Sequence, residues 1–439
     1  MHLRIVPNLR LNEKNDSSEV LLEIPFQDEL AGLTSVSKHK QDPQNSLCHL
    51  KMGFGITIIG CGLSGMITAL SFAARGINST IIERQNIRLL YDQSFFNDIR
   101  TTALTDSSKK FFETIGIWDN IAEISGPIND IYVADNKASE MVHFASHELK
   151  DEQVMGYLVE NKDFKKSLLA QVLANRHITI IDNSSYEVKE NNDHKCILTI
   201  NGTLDQECDL LVVCDGSNSS TRQKYFSSET YKPYSQHALT FIVQHEKPHD
   251  GTAVEHFIPT GPFAILPLKN QNFSSVVWTI KSDINNAILN LPDDEFLYIV
   301  QQNFGQFLGN ISIKSEIASF PLKAYATNKY YNKRIVLVAD SAHVIHPLAG
   351  QGLNQGIKDI QSLVNIIFEF GVSNQSLEKY QNTRKSDNNA MLEITNILNS
   401  LFSNNSKIFH AARQLGFRAI EKIPPFKKLL IKYAMGRRK

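Results

Sequence analysis

The chain has 439 residues, which is enough for one large domain or two to three ordinary ones. Its 45 basic and 46 acidic side chains give a net charge of -1, so overall charge gives no reason to expect nucleic acid or another polyanion as the main partner. The five cysteines include no CxxC pair, which argues against a zinc site, and an odd number of scattered cysteines in a long chain is typical of a reducing cytoplasm.

The first segment, residues 1–51, differs from the rest of the chain. It is polar and acidic and lacks the apolar stretch of a signal peptide, and its acidic residues argue against a mitochondrial transit peptide. A strand pattern begins only at Phe54, shortly after Met52. We therefore predict that residues 1–51 are a disordered extension or an artefact of the assigned start site, and that the protein is cytoplasmic.

A βαβ pattern follows. Residues 54–59 predict a buried parallel strand, residues 63–75 a helix and residues 80–83 a second strand. Between the first strand and the helix lies a GxGxxG motif, in which the first glycine permits a tight turn, the second permits close approach of a pyrophosphate and the third permits helix–strand packing. The candidate cofactor-binding residues here are Gly60, Gly62, Ser64 and Gly65, with Glu83 as the acceptor for an adenosine ribose.

This motif predicts a dinucleotide site, because a ligand-free glycine turn would not require strand, helix and terminal acid to agree. The motif does not separate FAD from NAD, and it occurs once.

The middle of the chain alternates between helix and strand patterns. Residues 99–123 predict a helical region, and residues 209–214 predict a strand that ends at Asp215-Gly216. The further expected elements are strands near 128–145, a helix over 163–176, strands near 178–190 and 196–200, a sheet over 237–282 and a helix over 293–308.

A second long motif spans residues 338–359. Asp340 ends a predicted strand, where its carboxylate can accept a hydrogen bond from a sugar-like hydroxyl. A loop from Pro347 to Gly352 leads into a helix over 354–370, whose first N–H groups can meet the electron-rich edge of a flavin. His343 and His346 lack a metal-binding partner at suitable spacing, so structural hydrogen bonding is favoured over a metal or a catalytic base.

With both motifs in view, the sequence resembles the single-component flavin aromatic hydroxylases, the class of para-hydroxybenzoate hydroxylase, and most of all the ubiquinone-biosynthesis hydroxylases. The similarity runs from Gly55 to the C-terminus. Ala339 departs from the glycine usual in the family, and its methyl group would either crowd the ribityl chain or be absorbed. The stretches that carry the resemblance are 60–65 with Glu83, 98–104 with 116–118, 156–161 with 215–222, 340–354, 257–267 and 433–436.

The resemblance implies an α/β fold: a Rossmann-like FAD-binding domain with an inserted β-sheet substrate domain and C-terminal helices. The implied parts are 52–230 and 321–375 for the FAD-binding domain, 231–320 for the substrate domain and 376–439 for the C-terminal helical region, and strands near 128–145 could join the substrate sheet. It also places Arg100 near the pyrophosphate, and Asp215 and Gly216 near FAD and the nicotinamide donor. The other implied cofactor-binding residues are Asp340, Pro347, Gly350, Gly352, Leu353 and Asn354.

The implied activity is hydroxylation of a prenylated phenol in ubiquinone biosynthesis, with FAD as cofactor, NADPH or NADH as donor and O2 as co-substrate. The flavin carries the chemistry, so no catalytic side chain is predicted. The sheet over 237–282 should cover the flavin, with a pocket of apolar side chains: Phe241, Phe257, Phe263, Ile265, Leu266 and Trp278.

Two alternative functions stay open. The first is an FAD-linked oxidoreductase of an isoprenoid substrate without oxygen insertion, and the second is a non-catalytic flavoprotein subunit of a quinone-synthesis complex.

The C-terminal segment, residues 417–439, contains both apolar and basic side chains. This segment predicts either a peripheral contact with the inner face of a membrane or a helix packed on the core.

Overall fold

The computed structural model describes residues 55–87, 98–135, 141–148, 154–226, 229–347, 350–402, 416, 420 and 422–436. The hypothesis about residues 1–51 therefore lies outside the described residues, as do Leu348 and Ala349 of the predicted loop.

The strands, in chain order, are β1 (Ile56–Ile59), β2 (Ser79–Ile82), β3 (Thr101–Thr105), β4 (Ser125–Ile128), β5 (Asp130–Asp135), β6 (Met141–Ala145), β7 (Gly156–Glu160), β8 (Ile178–Ile181), β9 (Tyr186–Asn191), β10 (Cys196–Ile200), β11 (Leu204–Cys208), β12 (Leu210–Val213), β13 (Glu229–His245), β14 (Thr252–Ile258), β15 (Gly261–Pro267), β16 (Phe273–Lys281), β17 (Ile311–Ile313), β18 (Ala318–Thr327), β19 (Tyr331–Asn332), β20 (Ile335–Leu337) and β21 (His343–Val344).

The α-helices are α1 (Leu63–Ala73), α2 (Asp106–Thr114), α3 (Trp118–Ala122), α4 (Asn161–Ala174), α5 (Ser220–Tyr225), α6 (Ser282–Leu289), α7 (Asp293–Phe304), α8 (Gly352–Phe370), α9 (Asn374–Phe402) and α10 (Pro424–Ala434).

A largely parallel sheet forms the centre of the first layer. Its strand order is β8-β2-β1-β12-β20-β19, and all pairs except β19–β20 are parallel. The side chains of β1 and β12 are buried along their whole length, as the short apolar runs at 56–59 and 210–213 predict for strands covered on both faces. Helices α1 and α8 pack into the same hydrophobic core. This is the predicted Rossmann-like arrangement.

A second, larger mixed sheet has the order β21-β18-β13-β16-β15-β14-β5-β6, and β17 pairs with β13. Strands β5 and β6 come from the first half of the chain and join this sheet through a parallel pairing of β5 with β14. One face packs under α7. The other face turns toward β3 and β7, which belong to a small antiparallel sheet of order β3-β7-β4.

The prediction of a helical region over 99–123 is wrong at its beginning, because Thr101–Thr105 forms β3 rather than helix. The run is rich in β-branched threonines and pairs antiparallel with β7 along its whole length. Helix α2 begins only after it, and the Thr105 side chain caps this helix by accepting a hydrogen bond from the Ser108 N–H. Of the apolar residues that suggested a helix, Leu104 lies in β3, and the others lie after this cap: Phe111, Phe112, Ile115, Ile117 and Trp118.

Helix α10 folds back onto the body of the molecule. Ile431 and Met435 are fully buried with Met155 between them and the main body. The Ser107 N–H donates to the Met435 carbonyl (3.3 Å), which fastens the end of α10 to the start of α2. Across the described ranges, no helix combines the length and apolar character that crossing a membrane requires.

Candidate functional site

The glycine motif forms a tight turn between β1 and α1. Gly60 has a φ of +97°, and a Cβ there would lie 2.8 Å from the Cys214 carbonyl oxygen. A Cβ on Gly65 would lie 1.9 Å from the Gly60 carbonyl oxygen, so this position also requires glycine. Gly62 differs, since no atom lies within 4 Å of a Cβ placed there. Gly60 and Gly65 therefore allow close packing of the chain, and Gly62 leaves open space beside the turn.

The first turn of α1 faces this open space. Gly62 is its N-cap and supplies no side-chain hydrogen bond to the helix, and Ser64 lies half-buried in the first turn. Glu83, at the end of β2, accepts hydrogen bonds from the N–H groups of Cys61 (2.7 Å) and Gln85 (2.9 Å). Each of its oxygens keeps a further lone pair for a ligand hydroxyl. An uncapped helix N-terminus with a nearby carboxylate suits a phosphate and a ribose.

The end of β12 contributes Asp215 and Gly216. The Oδ1 atom of Asp215 is buried and has no hydrogen-bond partner among the described residues. Burial raises the pKa of this carboxyl above its ordinary value. Gly216 has a φ of +82° and empty space where a side chain would lie. A buried acceptor without a partner beside an open glycine indicates a place where a ligand binds.

Arg222 connects this segment to the second motif. Its guanidinium donates to the Tyr325 hydroxyl (2.9 Å), the Ser341 carbonyl (3.2 Å) and the Ser217 carbonyl (3.0 Å). The side chain is buried, so these bonds hold two distant loops in one geometry. Arg222 lies in the 215–222 segment that carries the family resemblance, but the sequence gives it no role. Its hydrogen-bond partners lie up to 119 residues away in the chain, so no local pattern reveals them.

The second motif begins with a strained turn. Ala339 has a φ of +56°, a conformation that favours glycine. Its N–H donates to Asp359 of α8 (3.2 Å), and the His343 Nε2 atom lies 2.6 Å from the same carboxylate oxygen. Arg384 of α9 donates to the other oxygen (2.8 Å). His343 is thus a structural partner of a buried carboxylate, as the sequence favoured.

Asp340 and Arg100 lie close enough for their charges to interact. The Asp340 residue is exposed, yet the surrounding protein desolvates its carboxyl and raises the pKa of this group. Arg100 is a bidentate partner of Asp98, with both N–O distances 2.7 Å, and its guanidinium lies 5.2 Å from the ring centre of Phe320. The charge of Asp340 contributes to raising the pKa of Arg100, after the Asp98 hydrogen bond.

The loop before α8 is anchored on β3. Asn354 is fully buried and donates to the carbonyls of Ala103 (2.7 Å) and Gly350 (3.1 Å), and its Oδ1 accepts from the Thr105 N–H (3.0 Å). Its side chain is therefore occupied with structural bonds, which leaves the backbone for any contact with a cofactor. The remaining predicted residues differ in setting: Pro347 is exposed, Gly352 has open space at its Cβ position, and Leu353 packs on the core.

The face of the large sheet that turns toward β3 and β7, called the cleft face below, lies opposite the loops that carry the sequence motifs. The Thr101 hydroxyl donates to the Ser275 hydroxyl of β16 (3.0 Å), directly after Arg100. Phe320, which contacts Arg100, belongs to β18 of the same sheet. A groove therefore lies between the loops that carry the sequence motifs and one face of the sheet, as expected for a sheet that covers a cofactor.

The predicted pocket residues divide between the two faces of that sheet. Phe241, Phe263, Ile265 and Trp278 pack under α7 on the far side, so their assignment to the pocket is wrong. Leu266 lies on the groove side, and Phe257 alternates with far-side residues so that it also lies there. The error has a simple cause: alternation divides a strand into two faces, and the sequence does not say which face meets the cofactor domain.

Comparisons with known proteins agree with this geometry. A family model described as FAD binding domain matches residues 54–395. Ubiquinone hydroxylase UbiL of Rhodospirillum rubrum is 33% identical over 387 residues, 87% of this chain and 89% of that protein. The 3-demethoxyubiquinol 3-hydroxylase of Escherichia coli is 28% identical over 87% of this chain and 98% of its own length.

Among solved structures, p-nitrophenol 4-monooxygenase PnpA from Pseudomonas putida DLL-E4 superposes with a TM-score of 0.72 at 15% identity, covering 88% of this chain and 99% of that one. At that identity the likeness supports the fold. The family model and the curated relatives place this chain among the FAD-dependent monooxygenases, and the open glycines, the uncapped helix and the Asp215 oxygen without a described partner fit that cofactor. The chain belongs to the FAD-dependent ubiquinone-biosynthesis hydroxylase family.

Proposed function

We propose that this protein hydroxylates the aromatic ring of a prenylated phenol in ubiquinone biosynthesis, with NADPH or NADH as donor and O2 as co-substrate. The observation that carries the proposal is the groove between the glycine loop of α1 and the cleft face of the large sheet. The names of the relatives in R. rubrum and E. coli, which act in ubiquinone chemistry, support the substrate class.

We infer the following contacts for FAD. The N-terminus of α1, with Gly60, Gly62, Ser64 and Gly65, holds the pyrophosphate, and Glu83 holds the adenosine ribose. Arg100 adds a fixed positive charge near the pyrophosphate. Asp340 accepts from the ribityl chain, and the N–H groups of the α8 N-terminus meet the flavin ring through the loop residues Pro347, Gly350, Gly352, Leu353 and Asn354. Asp215 and Gly216 lie beside both FAD and the donor.

FAD, when bound, supplies the transfer of electrons from the nicotinamide to O2 and of one oxygen atom to the ring. The remaining tasks belong to the chain. It must bind the phenol beside the flavin and exclude water from the groove. The apolar cleft-facing positions Ala264, Leu266 and Val277 suit a ring and the start of a prenyl tail.

The test is to incubate purified, FAD-loaded protein with NADPH or NADH and a series of prenylated phenols, to follow O2 uptake and to identify products by mass spectrometry. We expect phenol-dependent O2 uptake and a product heavier by one oxygen atom. Substrate reduction without O2 uptake would instead favour the isoprenoid oxidoreductase. Bound FAD with no NAD(P)H oxidation under any condition would favour the accessory subunit.

We further propose that α10 contacts the inner face of a membrane. Phe426 and Leu429 of α10 are 43% and 61% exposed and, three residues apart, lie on one side of the helix. Ile423, directly before the helix, is 48% exposed. Lys422, Lys428 and Lys432 are exposed beside them. An apolar side flanked by lysines suits the interface of an anionic bilayer.

A further inference from the structure

Glu255 is a carboxylate in the middle of strand β14. Its neighbours in the strand, Val254 and Ile258, lie in or against the core under α7. Because side chains alternate along a strand, Glu255 points to the other face, together with Ala253, which packs with Leu158 of β7. Glu255 therefore faces the groove, on the wall opposite the cofactor loops.

The register across four strands puts Glu255 in a row with three other side chains. It lies opposite Ala264 of β15, which lies opposite Val277 of β16, which lies opposite Thr240 of β13. The row is polar at both ends and apolar between, and it spans three inter-strand spacings, or roughly 14 Å. These four side chains form a surface that is long enough to contact an aromatic ring.

Both polar ends of this row lack protein partners. The Thr240 hydroxyl is buried and has no hydrogen-bond partner in the described part of the chain. The side chain of Glu255 likewise forms no hydrogen bond or ion pair with any described residue. Polar groups that leave water are normally satisfied, so two such groups facing one groove indicate a ligand that supplies the missing bonds.

The row also lies close to the cofactor loops. Ser275, on the same face two residues from Val277, accepts a hydrogen bond from Thr101. Thr101 follows Arg100, whose pKa is raised in part by the charge of Asp340. A ring lying on the row would thus be held between the sheet and the loops that, by the proposed function, bind FAD.

We propose that Glu255 accepts a hydrogen bond from the phenol hydroxyl of the substrate and then takes its proton. The O–H bond of the phenol breaks, a new O–H bond forms on a Glu255 carboxylate oxygen, and the electron pair stays on the substrate as a phenolate. The proton returns to water when the product leaves. A phenolate is richer in electrons than a phenol, which favours attack by the ring on an electrophilic oxygen. This inference rests on the proposed function.

The electrostatic setting suits this role. Burial raises the pKa of Glu255 to about 7, with no neighbouring charge contributing. A base is most effective when its pKa lies near the working pH. The other titratable or charged groups on this face or on the facing wall include Asp135 of β5, Lys281 of β16, Lys323 of β18, Arg100 with its partner Asp98, Asp215, Asp340 and His346.

The experiment compares FAD-loaded wild type with Glu255→Gln, Glu255→Asp and the control Glu316→Gln, which changes an exposed glutamate between β17 and β18. The probes are a short-chain 2-prenylphenol and its methyl ether, which has no hydroxyl proton. Binding is followed by the change in flavin absorbance, turnover by O2 uptake, and folding by FAD content and melting temperature.

For wild type and Glu316→Gln we expect kcat/KM to rise with pH through about 7, because Glu255 must be ionised to take the proton. Glu255→Gln should lose this rising limb and about 10²-fold or more of kcat/KM, with FAD content unchanged. Glu255→Asp should keep the limb at reduced rate. Wild type should bind the phenol more tightly than the ether. Glu255→Gln should show a smaller preference, because its neutral amide oxygen accepts a weaker hydrogen bond from the phenol hydroxyl than a carboxylate does, while its affinity for the ether should match wild type.

Two results would overturn the inference. One is a Glu255→Gln protein with wild-type kcat/KM and an unchanged pH limb. The other is an equal loss of affinity for phenol and ether, which indicates general damage to the groove. A wild type that consumes no O2 with any phenol contradicts the proposed function instead. In that case the preference for phenol over ether, and whether it decreases in Glu255→Gln, still decides whether Glu255 binds the hydroxyl.

Discussion

Ala339 is a residue in a conformation that alanine rarely adopts. Its φ of +56° lies in the left-handed region, which costs a non-glycine residue about 1–2 kcal/mol. Its methyl group points at α8, because a Cβ on Gly356 would lie 2.5 Å from the Ala339 Cβ. Of the two outcomes that the sequence left open, crowding of the flavin or absorption of the methyl, the geometry therefore favours absorption against Gly356.

This contact predicts a coupling between the two positions. Gly356→Ala should lower the free energy of unfolding by about 1–3 kcal/mol, because the new methyl overpacks against Ala339. In an Ala339→Gly background the same change should cost little, since the opposing methyl is gone. Denaturant unfolding of the two single variants and the double variant measures the coupling. Equal costs of Gly356→Ala in both backgrounds would contradict this account.

At the scale of elements, one buried carboxylate joins α8, α9 and the turn before β21. Burial opposes ionisation of Asp359, but His343, Arg384 and Asn388 outweigh it and lower its pKa to about 2. The same carboxylate accepts the Ala339 N–H. Asp359 thereby positions the Ala339–Asp340 turn, although it lies outside the groove and does not reach it.

Asp359→Asn should lower the free energy of unfolding at pH 7 by about 1.5–3 kcal/mol, because it removes the buried charge that pairs with Arg384 and His343, while Asp387 (2.9 Å) still pairs with Arg384. It should also weaken FAD binding through the turn. The folded pKa is below the unfolded value, so the stabilisation is present at neutral pH and is lost as pH falls from about 4 toward 2. Unfolding curves against pH and FAD titrations measure both effects.

The control for this variant is Asp205→Asn, which removes an exposed partner of Lys189. Exposed ion pairs contribute little, so stability and FAD affinity should hardly change. An Asp359→Asn protein as stable as this control would show that the buried network is dispensable.

The sequence of β14 predicts that its side chains alternate between two faces, but it does not predict what each face contacts. The pattern at 252–258 predicts a strand, and Glu255 is the one carboxylate in it. Whether that position faces α7, solvent or the groove depends on the neighbouring layers. A carboxylate in an apolar strand was a signal that could have been followed from the sequence.

At the scale of the whole molecule, the C-terminal helix closes back on the cofactor layer. A Cβ on Gly436 would lie 3.0 Å from both Ser107 Cβ and Thr105 Oγ1, beside the side chain of Asn354. The resemblance at 433–436 thus falls on a packing contact near the α8 N-terminus. With this side of α10 occupied, the opposite side presents Ile423, Phe426 and Leu429 outward.

Replacement of Ile423, Phe426 and Leu429 by serine should abolish co-sedimentation with anionic liposomes, while wild type binds anionic more than neutral vesicles. The matched control is Tyr298→Ser, which removes an apolar side chain 66% exposed on α7, whose first turn is acidic. That variant should bind like wild type. Equal recovery of all three proteins with anionic vesicles would exclude a membrane role for this face.

The sequence by itself determined the βαβ unit, the glycine turn and the strand-ending positions of Glu83, Asp215 and Asp340, because turns and buried parallel strands have strong local patterns. The resemblance added the family, which the comparisons confirm. It did not reveal β3, whose threonines become strand only by pairing with β7.

The tertiary structure alone decided which residues meet. Arg222 donates to Ser341, and the N–H of Ala339 donates to Asp359. The side chain of Asn354 forms structural hydrogen bonds. Glu255 faces the groove, whereas Trp278 faces α7. The physical reason is that both faces of the large sheet are packed against other layers, so the two faces of its strands have similar composition. Which face is functional depends on how layers that are distant in sequence pack together, and this packing cannot be predicted from the local sequence pattern.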